Sequence, residues 1–83
     1  MSREVTLYTR TDCGLCHEAA DELRRLQPSL RFELHEVDID DDPVLRERYT
    51  DVFPVIAIDG RVIAQAPIDR NALRAALARA LGG

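Results

Sequence analysis

Two cysteines, Cys13 and Cys16, stand two residues apart near the start of an 83-residue chain that has no others. A disulfide between them closes so small a loop that it constrains the unfolded chain little, so a purely structural bridge explains the spacing poorly. Two cysteines also fall short of the dense frameworks that hold small secreted domains together. Thiol–disulfide chemistry explains the spacing better. A Cys-x-x-Cys pair on the first turn of a helix brings two sulfurs within bonding reach. The helix start presents unpaired N–H groups and positive partial charge, which favour the thiolate, the form that attacks a disulfide. On this reading Cys13, at the exposed helix start, attacks. Cys16, one turn further in and flanked by apolar Leu15 and Ala19, resolves the mixed disulfide. Arg10 is close and cationic and favours the thiolate, while Asp12 and Glu18 oppose it.

Other chemistries fit the same residues less well. Cys13-Gly14-Leu15-Cys16-His17 matches the attachment pattern of c-type haem. That chemistry expects export and usually a second axial ligand, whereas the sole methionine is the initiator Met1 and the motif follows a strand. Cys13, Cys16, His17 and His35 have the types of a two-Cys, two-His zinc set, and a metal-binding scaffold is a lesser alternative. Its fourth ligand lies mid-strand, and adjacent Cys16 and His17 point apart on a helix. Asp38-x-Asp40-x-Asp42 opens like a calcium loop, but Pro43 and Tyr49 occupy the positions that need Gly and a bidentate Glu. A solvated acidic connection is expected there, no metal is expected anywhere, and His17 and His35 read as surface residues.

The elements that must position the cysteines follow from patterning. Val5-Thr6-Leu7-Tyr8-Thr9 alternates and predicts a strand over residues 4–9. Leu15, Cys16, Ala19, Ala20, Leu23 and Leu26 recur at helical spacing, with Glu18, Glu22, Arg24 and Arg25 facing out, and Pro28-Ser29 should stop that helix. Residues 32–39 read as a second strand whose alternation changes phase near Glu36. Asp42-Pro43 is a helix-start pair for a short helix to about Tyr49. Residues 55–58 and 61–65 flank Asp59-Gly60, the signature of a two-residue hairpin, and Pro67 ends the second arm. Asp69 caps a last helix carrying Ala72, Leu73, Ala76, Leu77, Ala80 and Leu81 on its apolar face, and Gly82-Gly83 ends it. The order is β-α-β-α-β-β-α. Strand, crossover helix and strand imply a parallel unit, and the hairpin adds antiparallel partners. The expected fold is therefore α/β: a four-stranded mixed sheet flanked by helices. Pro54, directly ahead of the apolar run 55–58, cannot donate to a ladder and belongs at a strand start or special turn, where a cis bond is accessible.

With strand, Cys13-x-x-Cys16, helix, Pro54, Asp59-Gly60 hairpin and final helix in this order, the chain resembles the small glutaredoxin-like branch of the thioredoxin-fold family over nearly its whole length. The resemblance implies that Pro54 is cis and faces the dithiol. It also implies that the backbone of Phe53 pairs with the incoming thiol substrate, and that Asp69 falls near the acid used in substrate binding. Arg10, Phe53, Pro54 and Asp69 are thus the expected substrate side, and Cys13 and Cys16 the catalytic pair. The departures are specific. Gly14-Leu15 replaces the usual Pro-Tyr, and Asp51 stands where a cation would meet glutathione's carboxylate. Ala66-Pro67 replaces a Gly-Gly pair, and the chain lacks the Trp of the thioredoxin motif.

Composition bounds the remainder. At 46% hydrophobic and 31% charged, the chain suits one globular domain over residues 1–83. Eleven basic against 15 acidic residues give a net charge of −4, which argues against nucleic acid or anionic membrane as partner. No apolar run approaches the roughly 18 residues of a membrane span. The first residues lead straight into a strand without a signal-peptide stretch, so a cytoplasmic protein is expected. The sequence reading is a monomeric thiol–disulfide oxidoreductase that requires no cofactor. Its substrate is a disulfide-containing protein or a glutathione mixed disulfide, with glutathione the candidate co-substrate. The alternative from another class is a catalytically quiet binding module that uses the groove beside Pro54.

Overall fold

Val5 and Leu7 are fully buried along strand β1 (Glu4–Thr9), which sits inside a four-stranded sheet of order β2-β1-β3-β4. The computed structural model describes residues 3–10, 13–48, 53–65 and 68–82. Expectations placed on Thr11, Asp12, Tyr49, Asp51, Val52, Ala66, Pro67 and Gly83 lie outside the described residues. Strand β2 (Glu33–Asp38) runs parallel to β1, as a crossover helix requires. Strand β3 (Val55–Ile58) runs antiparallel to β1 and pairs antiparallel with β4 (Arg61–Gln65). Val5 lies opposite Ile58 and Leu7 opposite Ile56, so alternation puts all four on one sheet face. Helices α1 (Gly14–Leu30) and α3 (Arg70–Ala80) cover that face. They contribute Ala19, Ala20, Leu23, Leu26, Leu73 and Leu77 to the core. The expected fold and element order are the ones observed.

Local chemistry accounts for most boundaries. Asp59 and Gly60 both adopt positive φ, 52° and 78°, as the two-residue hairpin demands. The pairing then shifts by one residue between Ile56 and Ala57, leaving Ile63 as the extra residue of a bulge in β4. That shift lets neighbouring Ile63 and Ala64 both pack toward the core. The Asp42 carboxylate accepts the Val44 N–H at 2.9 Å at the start of α2 (Pro43–Arg48). The Asp69 carboxylate accepts the Asn71 N–H at 3.0 Å at the start of α3. Strand β2 is an edge strand with no fully buried residue, which is why its alternation reads weakly in the sequence.

Two expectations are corrected. Helix α1 does not stop at Pro28-Ser29 but runs through Pro28 to Leu30. Proline removes one N–H from the last turn, but the turn is closed by other groups. Arg31 takes a left-handed conformation and donates its N–H to Gln27 O at 2.7 Å. Arg3 donates to the carbonyls of Leu30 and Arg31, the latter at 2.7 Å, and to Leu81 O beyond α3 at 3.0 Å. One guanidinium thus satisfies carbonyls at the ends of two helices. The second correction is Glu22, which faces inward and is only 7% exposed.

Candidate active site

Cys13 is the N-cap of α1, with extended backbone dihedrals of φ −108° and ψ 103°. Its sulfur occupies the role usually filled by a serine or aspartate oxygen, accepting the Cys16 backbone N–H at 3.2 Å. The Cys13 carbonyl accepts the His17 N–H at 3.3 Å and starts the helical ladder. The two sulfurs are bonded to each other, with Cα atoms 5.2 Å apart. Cys13 is half-buried, whereas Cys16 is 2% exposed. No acid stands in the first turn of α1, so nothing there offsets the partial positive charge of its N-terminus.

The other expected site residues divide into two groups. Arg10 and Phe53 come together: the guanidinium lies 5.7 Å from the ring centroid, a cation–π contact. Arg10 also reaches Asp40 Oδ1 at 3.5 Å, and Arg46 approaches the same oxygen at 3.6 Å. Pro54 is buried and follows a cis peptide bond. It lines a groove of about 190 Å³ with Leu15 and Ala19 of α1, and with Ile68 and Arg70 at the start of α3. Asp69 lies beside that groove in sequence, and its carboxylate is engaged as the cap of α3. Leu15 is 59% exposed and forms part of the groove rather than the core face to which its spacing assigned it.

Sequence reasoning missed Glu22, Ile68 and Arg70. Glu22 is the one buried charged side chain among the described residues. Both of its oxygens accept from Arg25 Nη2, at 2.7 and 3.1 Å, and Arg70 Nε approaches at 3.6 Å. Glu22 raises the pKa of the Arg25 guanidinium further above its ordinary value, through the hydrogen bond first and its charge second. The Glu22–Arg25 spacing of three residues is a legible helical pair. Arg70 is not, because only the packing of α3 beside α1 brings it there.

The cysteine–histidine set does not converge. His35 stands on β2 with its Nε2 3.6 Å from Glu4 and 3.8 Å from Glu33. Those three side chains form the one cluster of metal-ligating type among the described residues, and all three are exposed. No described helix is long and apolar enough to cross a membrane.

Comparison with known proteins places this geometry. Residues 4–78 match the family described as Glutaredoxin-like domain (DUF836). An uncharacterized protein of Mycobacterium tuberculosis (strain H37Rv) is 36% identical over 89 residues, spanning 100% of this chain and 92% of the relative. The X-ray structure of a structural-genomics target protein from X. campestris superposes with a TM-score of 0.76 at 36% identity. That match covers 90% of this chain and 96% of the other. Thioredoxin 1 of Thermosipho africanus superposes with a TM-score of 0.71 over 95% of this chain and 94% of its own, at 11% identity, a likeness of fold alone. The chain belongs to the glutaredoxin-like domain family and has the thioredoxin fold.

Proposed function

We propose that the protein is a thiol–disulfide oxidoreductase in which Cys13 attacks and Cys16 resolves. The observation that carries this reading is the asymmetry of the pair. One sulfur caps a helix N-terminus and is reachable, and the other is buried one turn behind it within bonding distance. In the reduced protein the Cys13 thiolate attacks one sulfur of a substrate disulfide. A Cys13–substrate disulfide forms, and the other substrate sulfur leaves as a thiolate and takes a proton. Cys16 then gives up its proton and attacks the Cys13 sulfur, releasing the second substrate thiol. Two electrons and two protons pass from the dithiol to the substrate, and the protein ends in the bonded Cys13–Cys16 form. An external thiol reductant returns it to the dithiol.

The helix N-terminus and the Cys16 N–H support a negative Cys13 sulfur, and Arg10 over Phe53 supplies positive charge on the substrate side. The substrate is a protein disulfide or a glutathione mixed disulfide, and no cofactor takes part. The test is reduction of a model disulfide peptide by the prereduced protein. Cys13→Ser should abolish it. Turnover equal to wild type in that variant would contradict the assignment and leave a binding role for the groove beside Pro54.

A further inference from the structure

Glu4, Glu33 and His35 converge on the sheet face turned away from α1 and α3. Val5 and Leu34, their neighbours along the strands, pack toward the core, so alternation sends these three side chains to the opposite face. The parallel register sets Glu4 directly across from Glu33, with His35 two residues further along β2. The Glu33 N–H donates to Arg3 O at 2.8 Å, which carries the pairing past Glu4 and holds both glutamates on hydrogen-bonded backbone. One oxygen from each carboxylate and one imidazole nitrogen lie within 4.8 Å of one another. His35 Nε2 stands 3.6 Å from Glu4 Oε1 and 3.8 Å from Glu33 Oε2, too far for a hydrogen bond to either. Ligands about 2.0–2.1 Å from a tetrahedral zinc ion sit roughly 3.3–3.4 Å from one another, so the two histidine separations need to close only slightly around an ion. No arginine competes for these oxygens. Among the described residues, the ion pairs of Glu4 and Glu33 are with His35 alone, and Arg3 commits its guanidinium to the carbonyls of Leu30, Arg31 and Leu81.

We infer that Glu4, Glu33 and His35 form a surface site for a divalent transition-metal ion of the zinc class. An imidazole nitrogen with two carboxylates suits that class, whereas magnesium and calcium take oxygen ligands. The two carboxylates balance the charge of the ion, and the exposure of all three side chains leaves its other coordination positions to water. A bound ion ties β1 to the edge strand β2 and stabilises the folded chain by mass action. The site lies at the far end of these strands from Arg10, which approaches the turn after β2. It takes no part in the dithiol exchange, and the inference stands apart from the oxidoreductase reading. The sequence hid this site because only the pairing of β1 with β2 brings Glu4 to Glu33.

The test titrates the full, tag-free chain with zinc chloride by isothermal titration calorimetry. The disulfide-bonded form is used, because its sulfurs offer zinc no thiolate. One ion should bind to each chain, and Tm should rise with zinc concentration. His35→Ala and Glu33→Gln should each weaken binding by at least about tenfold, the loss that follows even when a group that only orients a ligand is removed. Both side chains are exposed, so both variants should keep the wild-type circular dichroism spectrum. His17→Ala, which removes the other histidine of the chain, should bind zinc as the wild type does. Several results would overturn the inference: no saturable binding, one ion shared by two chains, magnesium bound as tightly as zinc, unchanged affinity in His35→Ala, or an equal loss in His17→Ala.

Discussion

Cys13 and Cys16 differ in what can reach them, and in the proposed mechanism that difference sets the order of events. A resolving sulfur that is 2% exposed cannot meet a bulky disulfide before the half-buried sulfur ahead of it does. Cys16→Ser should therefore arrest the cycle at the first exchange and accumulate a Cys13–substrate mixed disulfide, visible by intact mass under non-reducing conditions. Absence of the adduct, with free peptide thiol still released, would contradict the assigned order. The cysteines and Pro54 were legible in the sequence because each is a residue type whose chemistry restricts where it can sit. Glu22 was not. A glutamate among Arg24 and Arg25 reads as part of a solvated face, and Arg70, which also approaches its carboxylate, joins it only when α3 packs beside α1.

At the scale of elements, local signals succeeded where the stabilising group is a near neighbour. Asp42, Asp59-Gly60 and Asp69 each specify a start or a turn through contacts within three residues, and each appears where expected. The end of α1 failed that test because its support comes from elsewhere. Arg3, ahead of the first strand, reaches the carbonyls of Leu30, Arg31 and Leu81 and so ties the end of α1 to the end of α3. Arg3→Ala should destabilise the fold by about 1 kcal/mol, the net worth of hydrogen bonds at an exposed site. For a domain of this size that is a fall of roughly 4–8 °C in Tm. Thermal unfolding followed by far-UV circular dichroism reads this directly, and an unchanged Tm would show that the three contacts contribute nothing net. The bulge at Ile63 was likewise illegible, since an extra strand residue is defined only by the partner strand it slips against.

For the whole molecule, the order of elements and the Asp59-Gly60 hairpin left few topologies, and the sheet β2-β1-β3-β4 is the one they favour. The parallel pairing of β1 and β2 has a functional consequence. Both chains leave the sheet at the same end, so the acidic turn after β2 meets Arg10, just ahead of Cys13. Glu4, Glu33 and His35 lie toward the other end of those strands. Stability resides in the face shared by β1, β3, α1 and α3. Leu77 is completely buried there, and Leu77→Ala should cost about 2–5 kcal/mol, read as a lower midpoint in urea. A loss of less than about 1 kcal/mol in unfolding free energy would show that Leu77 is not part of a tightly packed core.

The proposed mechanism requires Cys13 and Cys16 to form a reversible two-electron couple. The most direct measurement equilibrates the purified protein across a graded series of dithiol/disulfide buffers and reads each point, after acid quenching, by intact mass. One transition is expected, in which the protein gains and loses two hydrogens, retraced identically from the reduced and the oxidised side. Cys13→Ser should lack this transition. A pair that stays bonded, or stays reduced, across the whole series would contradict the mechanism.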